Sequence, residues 1–477
     1  MASPGADTQS VDLVVLGAGI SGLTAARRAA AAGMSVLVLE PEDQVGGRSA
    51  SFDVGGVQVD VGARRLPSTL DADLLDDLRD LLGDDLQIRP QRGRLRVAGQ
   101  WISYPLRASD LAARMPRRLT LSGARGATRT PARRRHEETY QGVLRTGLGP
   151  ALYDAVYGPL ARKLYGLDGD QLDPEQAHRL LTSERPSRLG GQRLLRARAR
   201  RDVASPATFL YPRGGFGQIP VALARAAEQD GARIVTKAPV RTLHARTDGV
   251  RLHWDGGEVH AAQAFSTVPL TDLGRVARPA PSAEVVADAA GLTYRSMIIV
   301  YLVHEGGRWT SYDTHYVPSL DTPVARISEP TNFRTNPEDP ADRSVICAEI
   351  PCANGDDVWQ APDDVLADTV ISAISALGLP AVRLGGVRVK RIAKVYPVYA
   401  LGYQSRLAGF SGWAERLAHV TAFGRVGLFV QDDTHHALRM GWDAADCLRL
   451  GDDGPALNHV AWQAARDRFR QRETEQD

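Results

Sequence analysis

The chain has 477 residues, enough to bury more than one core, and a domain usually holds roughly 100–200 residues, so two domains are expected. A hydrophobic content of 43% with 24% charged residues excludes a disordered or fibrous polymer, and a net charge of only +2 gives no general pull toward nucleic acid. No window reaches the ~18 consecutive apolar residues of a membrane-spanning helix, no basic-then-apolar leader opens the chain, and Cys347, Cys352 and Cys447 form no CxxC pair. The expectation is a cytoplasmic enzyme without integral membrane association, a zinc knuckle or any other metal.

In chain order, Val11 to Leu16 reads as a short strand buried on both faces. Gly17, Gly19 and Gly22 follow as G-x-G-x-x-G, Ser21 to Ala32 has the composition of a helix, and Ser35 to Leu39 is a second strand ending at Glu40. Strand, glycine turn, helix, strand and acid, in that order, predict a dinucleotide site. The first glycine permits the tight turn, the second lets the backbone approach a pyrophosphate, and the third lets helix and strand pack closely. The helix start at Ile20 and Ser21 offers free N–H groups and a positive dipole end to the phosphates. Glu40, with Pro41 beside it, is placed to accept hydrogen bonds from ribose hydroxyls.

Gly46, Gly47 and Arg48 come next, and they resemble the G-G-R extension of flavin-dependent amine oxidases, protoporphyrinogen oxidases and UDP-galactopyranose mutases. The resemblance implies noncovalent FAD, with backbone passing close to the pyrophosphate at the two glycines and Arg48 neutralising it. Similar blocks continue along nearly the whole chain. Val59 to Arg64 resembles the family strand whose loop passes the isoalloxazine, which implies Gly62, Ala63 and Arg64 beside the ring. Tyr211 to Pro220 resembles Y-P-x-G-G-F-G, and Pro239-Val240-Arg241 resembles the strand that meets the adenine at Val240. The closing block, which by the resemblance is a strand at Gly424 to Phe429 and a helix start at Asp432 to Ala437, implies Gly424 and Arg425 near the pyrophosphate, Asp432 or Asp433 near the ribityl hydroxyls, and the N–H groups of His436 and Ala437 near the flavin O2.

The fold class implied is α/β, a doubly wound Rossmann-type FAD-binding domain with an inserted mixed α+β substrate domain. The FAD domain takes residues 8–70, 205–295 and 386–477; the substrate domain takes 71–204, read as helical, and 296–385, read as an antiparallel sheet. Tyr140 to Gly166 resembles the helical substrate region of the mutase and protoporphyrinogen-oxidase branch. Arg64, His315, Arg326, Tyr399 and His436 are the candidate catalytic residues, with Tyr316 and Tyr396 as further pocket candidates. Two arginine-rich stretches, Arg114 to Arg135 and Arg185 to Arg201, read as solvated loops or as an electrostatic funnel for an anionic small-molecule substrate. They carry no aromatic interleaving and no nucleic-acid motif, so no nucleic-acid partner is expected.

After Glu40 no second G-x-G-x-x-G is bounded by strand and helix, which argues against a nicotinamide domain. The expected function is an FAD-dependent oxidoreductase of bacterial specialised metabolism, removing hydride from a small-molecule metabolite, with oxygen or an external acceptor reoxidising the flavin. The alternative is a mutase-like enzyme that uses reduced flavin on a sugar or nucleotide sugar without net redox change.

Overall fold

A computed structural model describes residues 9–105, 137–183, 208–452 and 454–470. Both arginine-rich stretches lie outside the described residues. The strand Gln9–Leu16 sits between Val36–Leu39 and Gly257–Ser266, parallel to both, and Arg233–Val235 extends the sheet beyond Val36–Leu39. On the other side Gly249–Trp254 and Val240–Arg246 add antiparallel strands. The first strand is apolar throughout because both of its faces are covered. Leu13 and Val15 enter one core with the helices Ile20–Ala31, Gln218–Gln229 and Thr434–Asp446, while Val14 and Leu16 enter another with Phe410, Trp413 and Tyr403. This is the doubly wound α/β unit expected from the sequence, with the helix at Ile20–Ala31 and the hairpin strands meeting at Trp254 and Gly257.

A second, seven-stranded sheet runs in the order Leu384–Pro397, Tyr294–Glu305, Arg343–Cys352, Arg326–Ser328, Thr314–Tyr316, Gly93–Val97 and Gln100–Tyr104. Side chains alternate across it. Ile298, Val300 and Leu302 pack on the helix Asp363–Ala376, whereas Met297, Ile299, Tyr301 and Val303 pack on the hairpin Ser51–Val54/Val57–Asp60. That hairpin leaves the Gly46-Gly47-Arg48 turn directly, so the inner face of the second sheet lies over the glycine loops of the first domain. A helical layer, Tyr140–Leu148, Gly158–Tyr165 and Pro174–Ser183, closes one end around a tyrosine-rich core.

Three details differ from the sequence reading. Residues 71–204 are not helical throughout: Leu86–Pro90 pairs with Thr208–Pro212, and the hairpin Gly93–Val97/Gln100–Tyr104 joins the second sheet. Arg94 and Arg96 alternate there with partly or fully buried neighbours, so arginines mask the period-two signal. Leu384–Pro397 also belongs to the second sheet, paired along its length with Tyr294–Glu305, so residues 386–397 lie in the substrate sheet and not in the first. Finally, Gly424 to Phe429 is no strand. The closing strand is Val420–Ala422, after which Gly424 (φ +81°) and Phe429 (φ +57°) turn left-handed and the backbone wraps on itself, Leu428 N–H donating to Gly424 O and Val430 N–H to Arg425 O. Among the described residues no helix is long and apolar enough to cross a membrane.

Candidate cofactor and active site

The glycine loops lock together through backbone bonds. Gly17 (φ +101°) donates to Leu39 O at 2.8 Å, and Gly46 (φ +106°) donates to Ala18 O at 2.8 Å, bringing the Gly46–Arg48 turn against the first loop. A β-carbon at Gly22 would stand 2.1 Å from Gly17 O, so side-chain-free contact holds the helix Ile20–Ala31 on its strand. At Gly19 the opposite holds: nothing lies within 4 Å of where a β-carbon would stand, leaving open space at the helix start. Glu40 is buried at the end of the second strand. Its Oε2 accepts from Ala18 N–H (2.7 Å) and its Oε1 from Glu42 N–H (3.1 Å), while burial pushes its pKa up. Val240 stands at the same end, since Ala238 N–H donates to Glu40 O, and Pro41 is exposed beside it.

Three arginines converge on this cradle. Arg48 Nη1 donates to Lys394 O (3.0 Å) and Val395 O (2.6 Å), Arg64 Nε donates to Val61 O (3.3 Å), and the Arg425 guanidinium lies 5.9 Å over the Tyr396 ring. Among the described residues none of the three has a carboxylate within salt-bridge distance, and Arg425 Nε is buried without a hydrogen-bond partner. Burial, then the charges of Arg425 and Arg64, lowers Arg48 to about 9; burial, then Arg425, lowers Arg64 to about 10. Cations that repel one another beside an open glycine loop and a helix start form a receptor for a polyanion, and these residues fit the pyrophosphate of FAD.

Beside Arg64, Ala63 N–H donates to Glu349 Oε1 (2.9 Å), and Arg326 Nη2 reaches both oxygens of Glu349 at 2.6 and 2.8 Å. Gly62 (φ +78°) makes that approach possible, since a β-carbon there would sit 3.1 Å from the carboxylate. The structure therefore brings Gly62, Ala63, Arg64 and Arg326 together, around a carboxylate that the sequence reading missed. A glutamate inside the otherwise apolar strand Val345 to Ile350 was the available signal. Tyr316, also named from the sequence, receives a 2.7 Å bond from Arg65 Nη2.

The closing segment resolves the two aspartates. Asp433 is the exposed N-cap of the helix Thr434–Asp446: its carboxylate accepts from the backbone of His436, whose Nδ1 in turn accepts from Asp433 N–H at 3.2 Å. Asp432 is buried and meets Arg179 at 3.3 Å and His436 Nδ1 at 3.6 Å. His436 and Ala437 thus occupy the first turn of a capped helix, but both N–H groups already donate to Asp433, the first to its carboxylate and the second to its carbonyl at 3.2 Å, so they do not stand open to a ligand as the sequence reading had them. Asp433, His435 and His436 have ligand atoms within 4.8 Å of one another, but the capping box engages two of them and the positive helix end disfavours a cation.

Two candidates stand elsewhere. His315 lies on the outer face of the second sheet, in register with Ile327, with Trp101, Trp309 and Tyr312 rings at 5.5, 5.7 and 5.7 Å. Burial, then Arg94, lowers its pKa to about 3, so it is a neutral core histidine whose ring the sheet separates from Arg326. Tyr399 is buried behind the closing segment, stacked on Tyr403 at 4.3 Å, its hydroxyl accepting from Gln431 N–H at 2.8 Å. It braces the segment rather than lining the cleft.

A family model described as flavin-containing amine oxidoreductase matches residues 20–406. A putative flavin-containing monoamine oxidase of Mycobacterium tuberculosis is 31% identical over 281 residues, 54% of this chain and 57% of that protein. A zeta-carotene-forming phytoene desaturase of Myxococcus xanthus is 29% identical over 296 residues, 54% and 53% of the two chains. The chain thus spans little more than half the length of these curated relatives. Among solved structures, a reduced UDP-galactopyranose mutase superposes with a TM-score of 0.72 at 20% identity, covering 91% of this chain and 93% of its own. A putative protoporphyrinogen oxidase from Exiguobacterium gives 0.68 at 18% identity, covering 93% and 99%. At such identities the likeness is one of fold.

Proposed function

The chain belongs to the flavin-containing amine oxidoreductase family and is a flavoprotein of FAD; from that premise we propose that it is a cytoplasmic FAD-dependent oxidoreductase that removes hydride from a small-molecule metabolite. The observation that carries the reading is the continuous set running from the Gly17–Gly22 loop through Arg48 and Arg425 to the Gly62–Arg64 turn and the capped helix at Asp433, which supplies a receptor for each part of FAD in order. Glu40 and Val240 would hold the adenosine end, Arg48 and Arg425 would balance the pyrophosphate, and the positive dipole end of the helix Thr434–Asp446 would favour negative charge at the pyrimidine edge. Bound FAD supplies the two-electron acceptor, and oxygen or an external acceptor restores it.

The same wall favours an anionic substrate over a cationic amine. Glu349 is held bidentate by Arg326, and Asp60 is engaged by Ser51, Tyr211 and the Phe216 N–H, so neither carboxylate is left to bind an ammonium group, whereas Arg64 has only a backbone carbonyl. A role in bacterial specialised metabolism accords with this reading.

Anaerobic mixing with panels of primary amines, amino acids and hydroxy acids tests it. The expected result is bleaching of the visible flavin absorption by one anionic member, reversed by air or an added acceptor. Turnover only after dithionite reduction, yielding a sugar isomer of unchanged mass, would instead establish the mutase-like use of the site, a use to which the similarity in fold to a UDP-galactopyranose mutase lends support.

A further inference from the structure

One buried guanidinium joins three parts of the chain far apart in sequence. Arg179, on the helix Pro174–Ser183 of the tyrosine-rich layer, is 8% exposed at its side chain. Its Nε donates to Glu175 Oε1 (2.7 Å), its Nη1 reaches Asp432 Oδ1 (3.3 Å) and Gln431 O (3.5 Å), and its Nη2 donates to Phe469 O (3.3 Å) and Arg470 O (3.1 Å) at the end of the helix His459–Arg470. Its Cζ also lies 5.5 Å from the Tyr399 ring. One turn earlier Gln176 Nε2 donates to Gln431 Oε1 at 2.5 Å, and Glu175 accepts from the Tyr403 hydroxyl. Burial works against the charge on Arg179, but Tyr399, Asp432 and Glu175 outweigh it and keep the group cationic.

Glu175, Arg179 and Asp432 therefore form a line of alternating charge that ends at the residue just before the N-cap Asp433 of the capped helix. We propose that Arg179 is a positioning residue for the flavin: it fixes the Gln431–Asp432 segment and neutralises the Asp432 carboxylate, and so sets both the place and the charge of the helix start that meets the pyrimidine edge. This rests on the reading that the Asp432–Ala437 turn contacts FAD. A lysine cannot replace it, because a point ammonium lacks the planar fork that reaches a carboxylate on two sides and two helix-terminal carbonyls at once.

The test uses the full-length holoprotein and its apoprotein, with FAD as the probe. Arg179→Gln leaves Asp432 unneutralised, so the midpoint potential of bound FAD falls, because reduction adds negative charge near a buried, uncompensated carboxylate; the Kd of the apoprotein for FAD rises about tenfold. Adding Asp432→Asn returns the potential toward the wild-type value, and Arg179→Lys falls between wild type and Arg179→Gln. If Arg179→Gln does not fold, Asp432→Asn alone carries the test, with a rise in potential expected. Wild-type protein that binds FAD while these variants leave potential and Kd unchanged, or a shift in Arg179→Gln that Asp432→Asn does not reverse, overturns the proposal. Wild-type protein that takes up no FAD overturns the site reading and the proposal with it.

Discussion

On the proposed reading Glu40 and Arg425 would meet the cofactor at different points by the same logic, a charged side chain whose polar atoms are buried where a polar ligand group must come. Glu40→Ala and Arg425→Ala should each weaken FAD retention by ~1.5–3 kcal/mol, the usual worth of a charge-assisted bond, read as flavin lost on dialysis and a lower melting temperature of the holoprotein. Retained flavin and unchanged melting in both variants would remove them from the site. His315 makes a different prediction, because its role is in the core. With a folded pKa near 3 and an unfolded value of 6.5, the unfolded chain binds the extra proton in between, so stability is full above pH 6.5 and falls as the pH drops toward 3. His315→Phe should flatten that loss, by up to ~1.4 kcal/mol per pH unit, in urea titrations between pH 6.5 and 4; an unchanged acid profile would show that the imidazole is not held neutral. Glu40 was legible from its distance past the glycines, but His315 was not, because strand alternation assigns it to a face without saying which face meets the cofactor.

Among elements, the helix Ile20–Ala31 has one glycine at its N-cap, Gly19, and one in its first turn, Gly22, with opposite surroundings, and they should separate packing from binding. Gly22→Ala drives a β-carbon to within 2.1 Å of Gly17 O, a backbone atom that cannot step aside, so the strand–helix contact must open. A cost of ~1–3 kcal/mol is expected in the apoprotein itself. Gly19→Ala meets nothing within 4 Å, and its φ of −73° suits alanine, so the apoprotein should melt as wild type while FAD uptake is lost because the methyl group occupies the cofactor's approach. Equal FAD uptake in Gly19→Ala and wild type would place the pyrophosphate elsewhere. The helix Thr434–Asp446 shows how much an element's start depends on its neighbours. Its capping box is written locally in Asp433 and His436, yet the segment entering it is held by Arg179, Gln176 and Tyr399 from other parts of the chain.

For the molecule as a whole, the amino-acid sequence alone places the glycine loops and the acid that follows them. Strand, glycine turn, helix, strand and acid are local in sequence, and the backbone bonds that join them, Gly17 N–H to Leu39 O and Gly46 N–H to Ala18 O, connect residues near one another in the chain, so spacing alone specifies the loops. Three things were decided only by tertiary structure. The arginine-interrupted hairpin Gly93–Val97/Gln100–Tyr104 and the strand Leu384–Pro397 joined the second sheet because pairing, not composition, assigns a strand to a sheet. Glu349 comes to stand against the Gly62–Arg64 turn because Arg326 lies directly across from it in the neighbouring strand and Gly62 lets the Ala63 N–H approach. Arg179 stands four residues after Glu175, a spacing shared by any exposed helical pair, and only the packing of the helical layer against the closing segment and the last helix buries it among partners some 250 to 290 residues away. A linear chain encodes the short-range contacts of the cofactor cradle in its spacing, whereas charges that meet across domains carry no local pattern, since their partners are set by how the sheets and helices close over one another.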